Sequence, residues 1–272
     1  LDAGVKPKDS GTNSPSDAAA PKADATSATG TFPAVTDLTG NGPFKTKDAS
    51  CGNAYTCYYP TELGKGGVKH PFVVWGDGAG TPPTDYTLLP HLASHGFVVI
   101  ASNNTNVTPQ DLTGGLDWAF AENDRSGSEF YQKLDTSNVA SMGFSMGGLG
   151  TSQIAGDKRL KTTVHISGGS GGAYMANLKN PAAFFCGNST DIAAANCDSD
   201  FQAATTPVFY GNFDCHHGGV VTPPYSDYIA AAVTGWLRWQ LMADTTLKTM
   251  FVGSNCTLCK DPNWKVQQKG LN

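Results

Sequence analysis

The sequence predicts an α/β fold built on a mainly parallel central sheet, with helices on both faces and no large cap domain. Three observations carry that prediction. Short apolar runs bounded by Gly, Pro, Asn or Asp recur along the chain, as fully buried strands do. Segments with helical spacing alternate with those runs, the pattern of strand–helix–strand units in a parallel sheet. A chain of 272 residues that is 39% hydrophobic can bury one substantial core.

Residues 1–31 are read as a disordered spacer and residues 32–272 as one folded domain. The spacer is almost entirely Ala, Asp, Ser, Thr, Pro, Lys and Gly with no aromatic before Phe32, too little apolar surface to offset chain entropy. It reads equally as a tether to a surface or as the remnant of a trimmed leader. Strands are expected at Tyr55–Tyr59, Phe72–Trp75, Phe97–Ala101, Val139–Phe144, Thr162–Ile166, Ala182–Cys186 and Val208–Phe213. Helices are expected at Tyr86–His95, Leu112–Asn123, Gly147–Gly156 and Tyr225–Ala243, the last with Tyr228, Ile229, Val233, Trp236, Leu237 and Leu241 near helical spacing.

A formal net charge of −5 with no basic stripe sets nucleic-acid binding aside. No apolar run approaches the ~18 residues of a transmembrane helix. Seven cysteines point to an oxidising compartment, hence a secreted, cell-surface or periplasmic protein. Leu1 opens on polar sequence, as a processed N-terminus would. Cys256-Thr257-Leu258-Cys259 has zinc-like spacing, but no second such pair or nearby His pair accompanies it, so neither a metal nor another cofactor is expected.

Gly143-Phe144-Ser145-Met146-Gly147 fits G-x-S-x-G, a pattern that a Gly- and Ser-rich chain can match by chance. Its setting is specific: an apolar strand precedes it and a helix follows, as at a nucleophile elbow. Ser145 is therefore the candidate nucleophile. The glycines two residues either side remove side chains that would collide in a strained turn. The Gly-rich stretch after Val73-Val74-Trp75 offers a second backbone donor for an oxyanion. Ala79 and Met146 are assigned as the two donors, with Gly78, Gly80, His165 and Gly169 lining the substrate cleft. A phosphate-cradling reading of that stretch lacks the Lys-Ser/Thr ending it would need.

In such folds the acid and then the histidine follow the nucleophile. His165 lies within a strand and precedes any late acid, so it reads as a packed or cleft-lining residue, which leaves His216 and His217 at the end of Val208–Phe213. His217, followed by two glycines, is preferred as base, and His216 stays open because spacing does not separate neighbours. Asp191, just past Ala182–Cys186, is the first choice of acid. Asp198 and Asp200 sit farther along the same loop, and Asp214 is too close to His217 in sequence.

Tyr58-Tyr59-Pro60-Thr61, Leu92-Ala93-Ser94-His95-Gly96-Phe97-Val98-Val99-Ile100, Leu134-Asp135-Thr136 and Gly143-Phe144-Ser145-Met146-Gly147-Gly148 resemble the bacterial cutinase-like polyester hydrolases, which include poly(ethylene terephthalate) hydrolases. The resemblance runs from about Gly42 to near Lys260. It implies the α/β-hydrolase fold and a monomeric serine carboxylic ester hydrolase working through an acyl-enzyme on an ester or polyester. Ser145, Asp191 and His217 would be catalytic, with Ala79 and Met146 as oxyanion donors. An esterase of small soluble esters and a catalytically silent surface-binding protein on the same scaffold are the alternatives. Two aromatic residues that clamp substrate in that family are replaced here by Ala79 and by Gly168-Gly169-Ser170. Such relatives can join the acid and histidine loops by a disulfide, which implies Cys186–Cys215, with Cys186–Cys197 as the competing pair. Cys51–Cys57 and Cys256–Cys259 are expected as local pairs, and the seventh cysteine as free or paired outside the chain.

Overall fold

The computed structural model describes residues 30–272. Most of the expected spacer, residues 1–29, lies outside them. The described chain begins at Gly30, whose amide donates to the Gly67 carbonyl. Nine strands form a single sheet among the described residues: β1 Thr46–Cys51, β2 Tyr55–Pro60, β3 His70–Gly76, β4 Val98–Ser102, β5 Leu134–Phe144, β6 Thr162–Ile166, β7 Ala182–Cys186, β8 Val208–Phe213 and β9 Trp264–Lys269. Their order is β1-β2-β4-β3-β5-β6-β7-β8-β9. The run from β4 to β8 is parallel, while β1, β2 and β9 pair antiparallel at the two edges.

The helices are α1 Leu88–Ser94, α2 Pro109–Asp124, α3 Met146–Ile154, α4 Ala194–Ala203, α5 Ser226–Met242 and the single turn α6 Thr257–Lys260. Side chains alternate across a strand, so each central strand feeds two cores. Val73 and Trp75 pack with α1 and α5 on one face, whereas Phe72 and Val74 pack with α2 on the other. Ala182, Phe184 and Cys186 meet α4 on that second face, and Ala183 and Phe185 join the first. Burial on both faces produces the unbroken apolar runs in the sequence. On α5, Ile229, Val233, Trp236, Leu237 and Leu241 are buried as their spacing predicts. Tyr228 departs from it: the ring is about half exposed and stacks on Phe213 at the surface.

Three disulfides are present: Cys51–Cys57, Cys186–Cys197 and Cys256–Cys259. The last joins the two cysteines with zinc-like spacing. The implied Cys186–Cys215 bridge is not formed, and strand parity gives the reason. Cys186 lies in the α4 core with Phe184, while Cys215 lies beyond the sheet in the α5 core with Phe213. Cys215 is a free, buried thiol, which burial pushes up to about 11, with Asp191 and Asp214 adding to the effect. The Cys186–Cys197 bridge closes the segment that carries Asp191. Removing it in a C186A/C197A variant is expected to lower unfolding free energy by about 3 kcal/mol for a loop of this length. Urea denaturation checks this, and an unchanged midpoint would refute it.

Candidate active site

Ser145, Asp191 and His217 follow the C-terminal ends of β5, β7 and β8, where open α/β sheets place their ligands. Ser145 itself occupies a strained turn at φ 53° and ψ −112°, in the left-handed half of the map. The glycines around it are steric necessities. A Cβ on Gly147 would come within 1.9 Å of the Gly76 carbonyl oxygen, and one on Gly143 within 2.3 Å of the Gly147 carbonyl carbon. The elbow is tied down by its neighbours. The Ser145 amide donates to the Ile166 carbonyl at 2.9 Å, and the Gly147 amide to the Asp77 carbonyl at 3.0 Å.

Ser145 Oγ lies 3.0 Å from His217 Nε2, and His217 Nδ1 lies 2.6 Å from Asp191 Oδ1. The acceptor-only carboxylate fixes the tautomer: Nδ1–H donates to Asp191, which leaves Nε2 free to accept the serine hydroxyl. The Phe144 ring packs 4.9 Å from the imidazole and limits its rotation. Burial alone would raise the Asp191 carboxyl. Hydrogen bonds from His217, Ser167 and the amides of Ala193 and Gly187 outweigh it and hold the group below the usual carboxylate range.

An open cleft of about 290 Å³ surrounds Ser145. Ala79, Met146, Leu149, Gly168, Gly169 and Ile192 are among the residues that line it, with Ser167 beside them. Met146 opens α3, so its amide has no acceptor within the helix. The Ala79 amide likewise has no backbone acceptor among the described residues. Ile192 is 82% exposed, an apolar side chain left standing at the rim. A larger hollow of about 710 Å³ lies between Phe32 and the end of α5, and it holds none of the three groups, so chemistry rather than size selects the cleft.

Several expected residues lie elsewhere. His216 is exposed and makes no hydrogen bond to Ser145 or Asp191. His165 does not line the cleft. It is fully buried on β6, where it bonds Ser152 and Thr163 and packs 4.7 Å from the Phe184 ring, and burial pushes it down to about 4. Gly78 is packed beneath the loop, its amide bound to the Tyr86 hydroxyl at 2.8 Å. Gly80 turns away, its amide bonding the Thr105 carbonyl. Of the four expected cleft-lining residues outside the chemical groups, Gly169 is at the wall. Asp198 and Asp200 belong to α4 rather than to a loop. Asp198 accepts from the Tyr210 hydroxyl, and buried Asp200 accepts from the amides of Ser170 and Gly172. Asp214 is exposed and accepts from the Asn188 side chain.

Two further side chains belong to this neighbourhood, beyond those the sequence points to. Buried Ser167 donates to Asp191 Oδ2 at 2.5 Å. Asp77 is also buried, takes a hydrogen bond from the Trp75 indole, and is pushed up to about 7 by desolvation. Neither carries a sequence pattern. Ser167 is a lone serine before two glycines, and Asp77 lies inside a Gly-rich stretch.

An elbow serine after β5, an acid after β7 and a histidine after β8, on this mixed sheet with helices on both sides, define the α/β-hydrolase fold. A family model described as PET hydrolase-like (PETase) matches residues 21–256, and the chain belongs to that family. It is similar to Cutinase est1 of Thermobifida alba, at 34% identity over 109 residues. That match covers 38% of this chain and 35% of the relative's length.

Proposed function

We propose that the protein is a serine carboxylic ester hydrolase acting on cutin-like or polyester substrates through an acyl-enzyme. The observation that carries this reading is the hydrogen-bonded series from Ser145 Oγ through His217 to Asp191, at the floor of an open cleft. Ser145 attacks the ester carbonyl while His217 Nε2 takes its proton. The amides of Ala79 and Met146 stabilise the oxyanion, each worth roughly 3–4 kcal/mol in comparable sites. The protonated His217 then delivers its proton to the leaving alcohol, and Asp191 stabilises the imidazolium meanwhile. Water activated by the same nitrogen attacks the acyl-enzyme, releases the acid and regenerates Ser145.

Substrate class is supported by family membership and by the cleft. The β6–β7 connection has only one short 3-10 turn, Met175–Asn177, so among the described residues it adds no cap domain over Ser145 against a bulky or surface-bound chain. A second reading, esterase of small soluble esters, is favoured by the missing aromatic walls: His217 aside, no aromatic side chain among the described residues lines the cleft. The three disulfides support an extracytoplasmic location, and no described helix is long and apolar enough to cross a membrane. All the chemical groups come from one chain, so the proposed chemistry needs no residue from a partner.

A fluorophosphonate probe tests the enzyme reading. Ser145 is expected to be the labelled residue in folded protein, and failure to label it would leave a catalytically silent surface-binding protein instead. Release of soluble products from polyester film, compared with cleavage of short nitrophenyl esters, tests the substrate. Activity confined to the short esters would reject the polyester assignment.

A further inference from the structure

Four donors hold the Asp191 carboxylate. His217 Nδ1 and the Ala193 amide reach Oδ1 at 2.6 and 2.8 Å, while Ser167 Oγ and the Gly187 amide reach Oδ2 at 2.5 and 2.8 Å. The two amides belong to the acid's own loop. Ser167 comes instead from the end of β6, 24 residues earlier in the chain.

Its backbone makes the serine conspicuous. At φ 37° Ser167 lies in the left-handed region that glycine occupies without strain, and Gly168-Gly169 follow directly. The turn itself does not depend on the hydroxyl, because the Ser167 amide already donates to the Phe185 carbonyl at 2.8 Å. The residue is fully buried, and its Oγ bonds one group, the Asp191 carboxylate. Ser167 borders the cleft, and the one hydrogen bond its side chain makes is to that carboxylate.

We propose that Ser167 is a positioning residue for the hydrolysis: its hydroxyl anchors Asp191 Oδ2, so that Oδ1 stays aimed at His217 Nδ1. The inference rests on the roles proposed above for Ser145, Asp191 and His217. A charge-assisted O–H···O⁻ bond is short and strong, and it opposes rotation of the carboxylate about Cβ–Cγ. With it gone, the Gly187 amide alone would hold Oδ2. The carboxylate would also bind a proton more readily, since a donor favouring its charged form is lost. Ser167 makes no bond to Ser145 or His217, so its effect passes through Asp191.

Two variants separate this role from folding. Ser167→Gly relaxes the backbone but loses the bond to the carboxylate, so its Tm should fall below that of the parent protein by only a few degrees, with the protein fully folded. Its kcat on a nitrophenyl ester should fall about tenfold or more, with KM unchanged. The acid limb of its kcat/KM profile should move to higher pH, because Asp191, with one donor fewer, takes up a proton earlier on acidification. Ser167→Ala loses the same bond and keeps the strained backbone, so it should show the same kcat and pH changes with a Tm no higher than that of Ser167→Gly. Parental kcat and an unmoved acid limb in Ser167→Gly would overturn the inference, as would losses confined to KM. If the unmodified protein is not labelled at Ser145 by the fluorophosphonate, the hydrolase reading falls and this inference with it. If it is labelled and Ser167→Gly matches it in every respect, this inference alone falls.

Discussion

Replacing Ser145 with alanine is expected to lower kcat on an activated ester by roughly 10⁶-fold, and the S145A/H217A double variant to fall little further. The two groups act as one unit: without Oγ, His217 has no proton to take, and without His217, Oγ is a weak nucleophile. The residual rate would come from the Ala79 and Met146 amides and from substrate binding. Loss through unfolding is not expected, since alanine can occupy the φ 53° backbone at about the cost serine already bears. His216→Ala is the internal control. That side chain is exposed and has no bond to Ser145 or Asp191, so its kcat should stay within about twofold of the parent. Ester hydrolysis by S145A above about one hundredth of the parental rate, free of contaminating enzyme, would overturn the role of Ser145. A large loss in His216→Ala with little in His217→Ala would move the base to its neighbour.

The parts of the fold legible in the sequence are those buried on both sides. β6, β7 and β8 run over Thr162–Ile166, Ala182–Cys186 and Val208–Phe213, the bounds their apolar runs predict. The edge strands β1 and β9, TKDASC and WKVQQK, were not legible, because a half-exposed antiparallel edge tolerates polar residues and shows no continuous run. Helix α4, AANCDSDFQA, has too little apolar periodicity to stand out from a loop. Its place comes instead from Cys197 and Phe201, packed against β7 and β8.

At the site, Ser145 was legible because its neighbours must be glycines for steric reasons that any sequence with this turn shares. The choice between His216 and His217 was not, because adjacent residues have the same spacing to everything else. Only the short turn His217–Val220 points one imidazole at Asp191 and leaves the other in solvent. The cysteines carried a readable signal in strand parity. Ala182 pairs with Val208 and Cys186 with Asn212, so even-numbered residues of β7 and β8 share the α4 face, while Phe213 and Cys215 fall on the other. Proximity of strand ends suggested one bridge, and the direction of the side chains made another. Ser167 lies beyond such reading, since its meaning depends on a carboxylate 24 residues away.

Replacing Asp191 with asparagine is expected to lower kcat by about 10⁴-fold while the protein stays folded. The four donors converging on the carboxylate give the reason. An asparagine offers one acceptor oxygen and one NH₂ group, so two of the four donors must face another donor. If the NH₂ stands where Oδ1 was, His217 accepts at Nδ1 and carries its proton on Nε2, where it cannot take one from Ser145. If it stands where Oδ2 was, Ser167 can rotate to accept but the Gly187 amide loses its partner, and His217 loses the negative charge that stabilises its imidazolium. Either arrangement removes the base or weakens it. The same substitution changes the acid side of stability. Asp191 is held below its ordinary value of 3.8, so its stabilising contribution is complete above that value and is lost as pH falls through the lower folded-state value. The asparagine side chain does not titrate, so the Asp191→Asn variant should be less stable than the parent at neutral pH, and the gap should narrow as pH falls below about 3.8. Thermal unfolding of both proteins across that range measures the gap. A gap that stays constant with pH would show that the carboxylate is not held in its charged form by these donors.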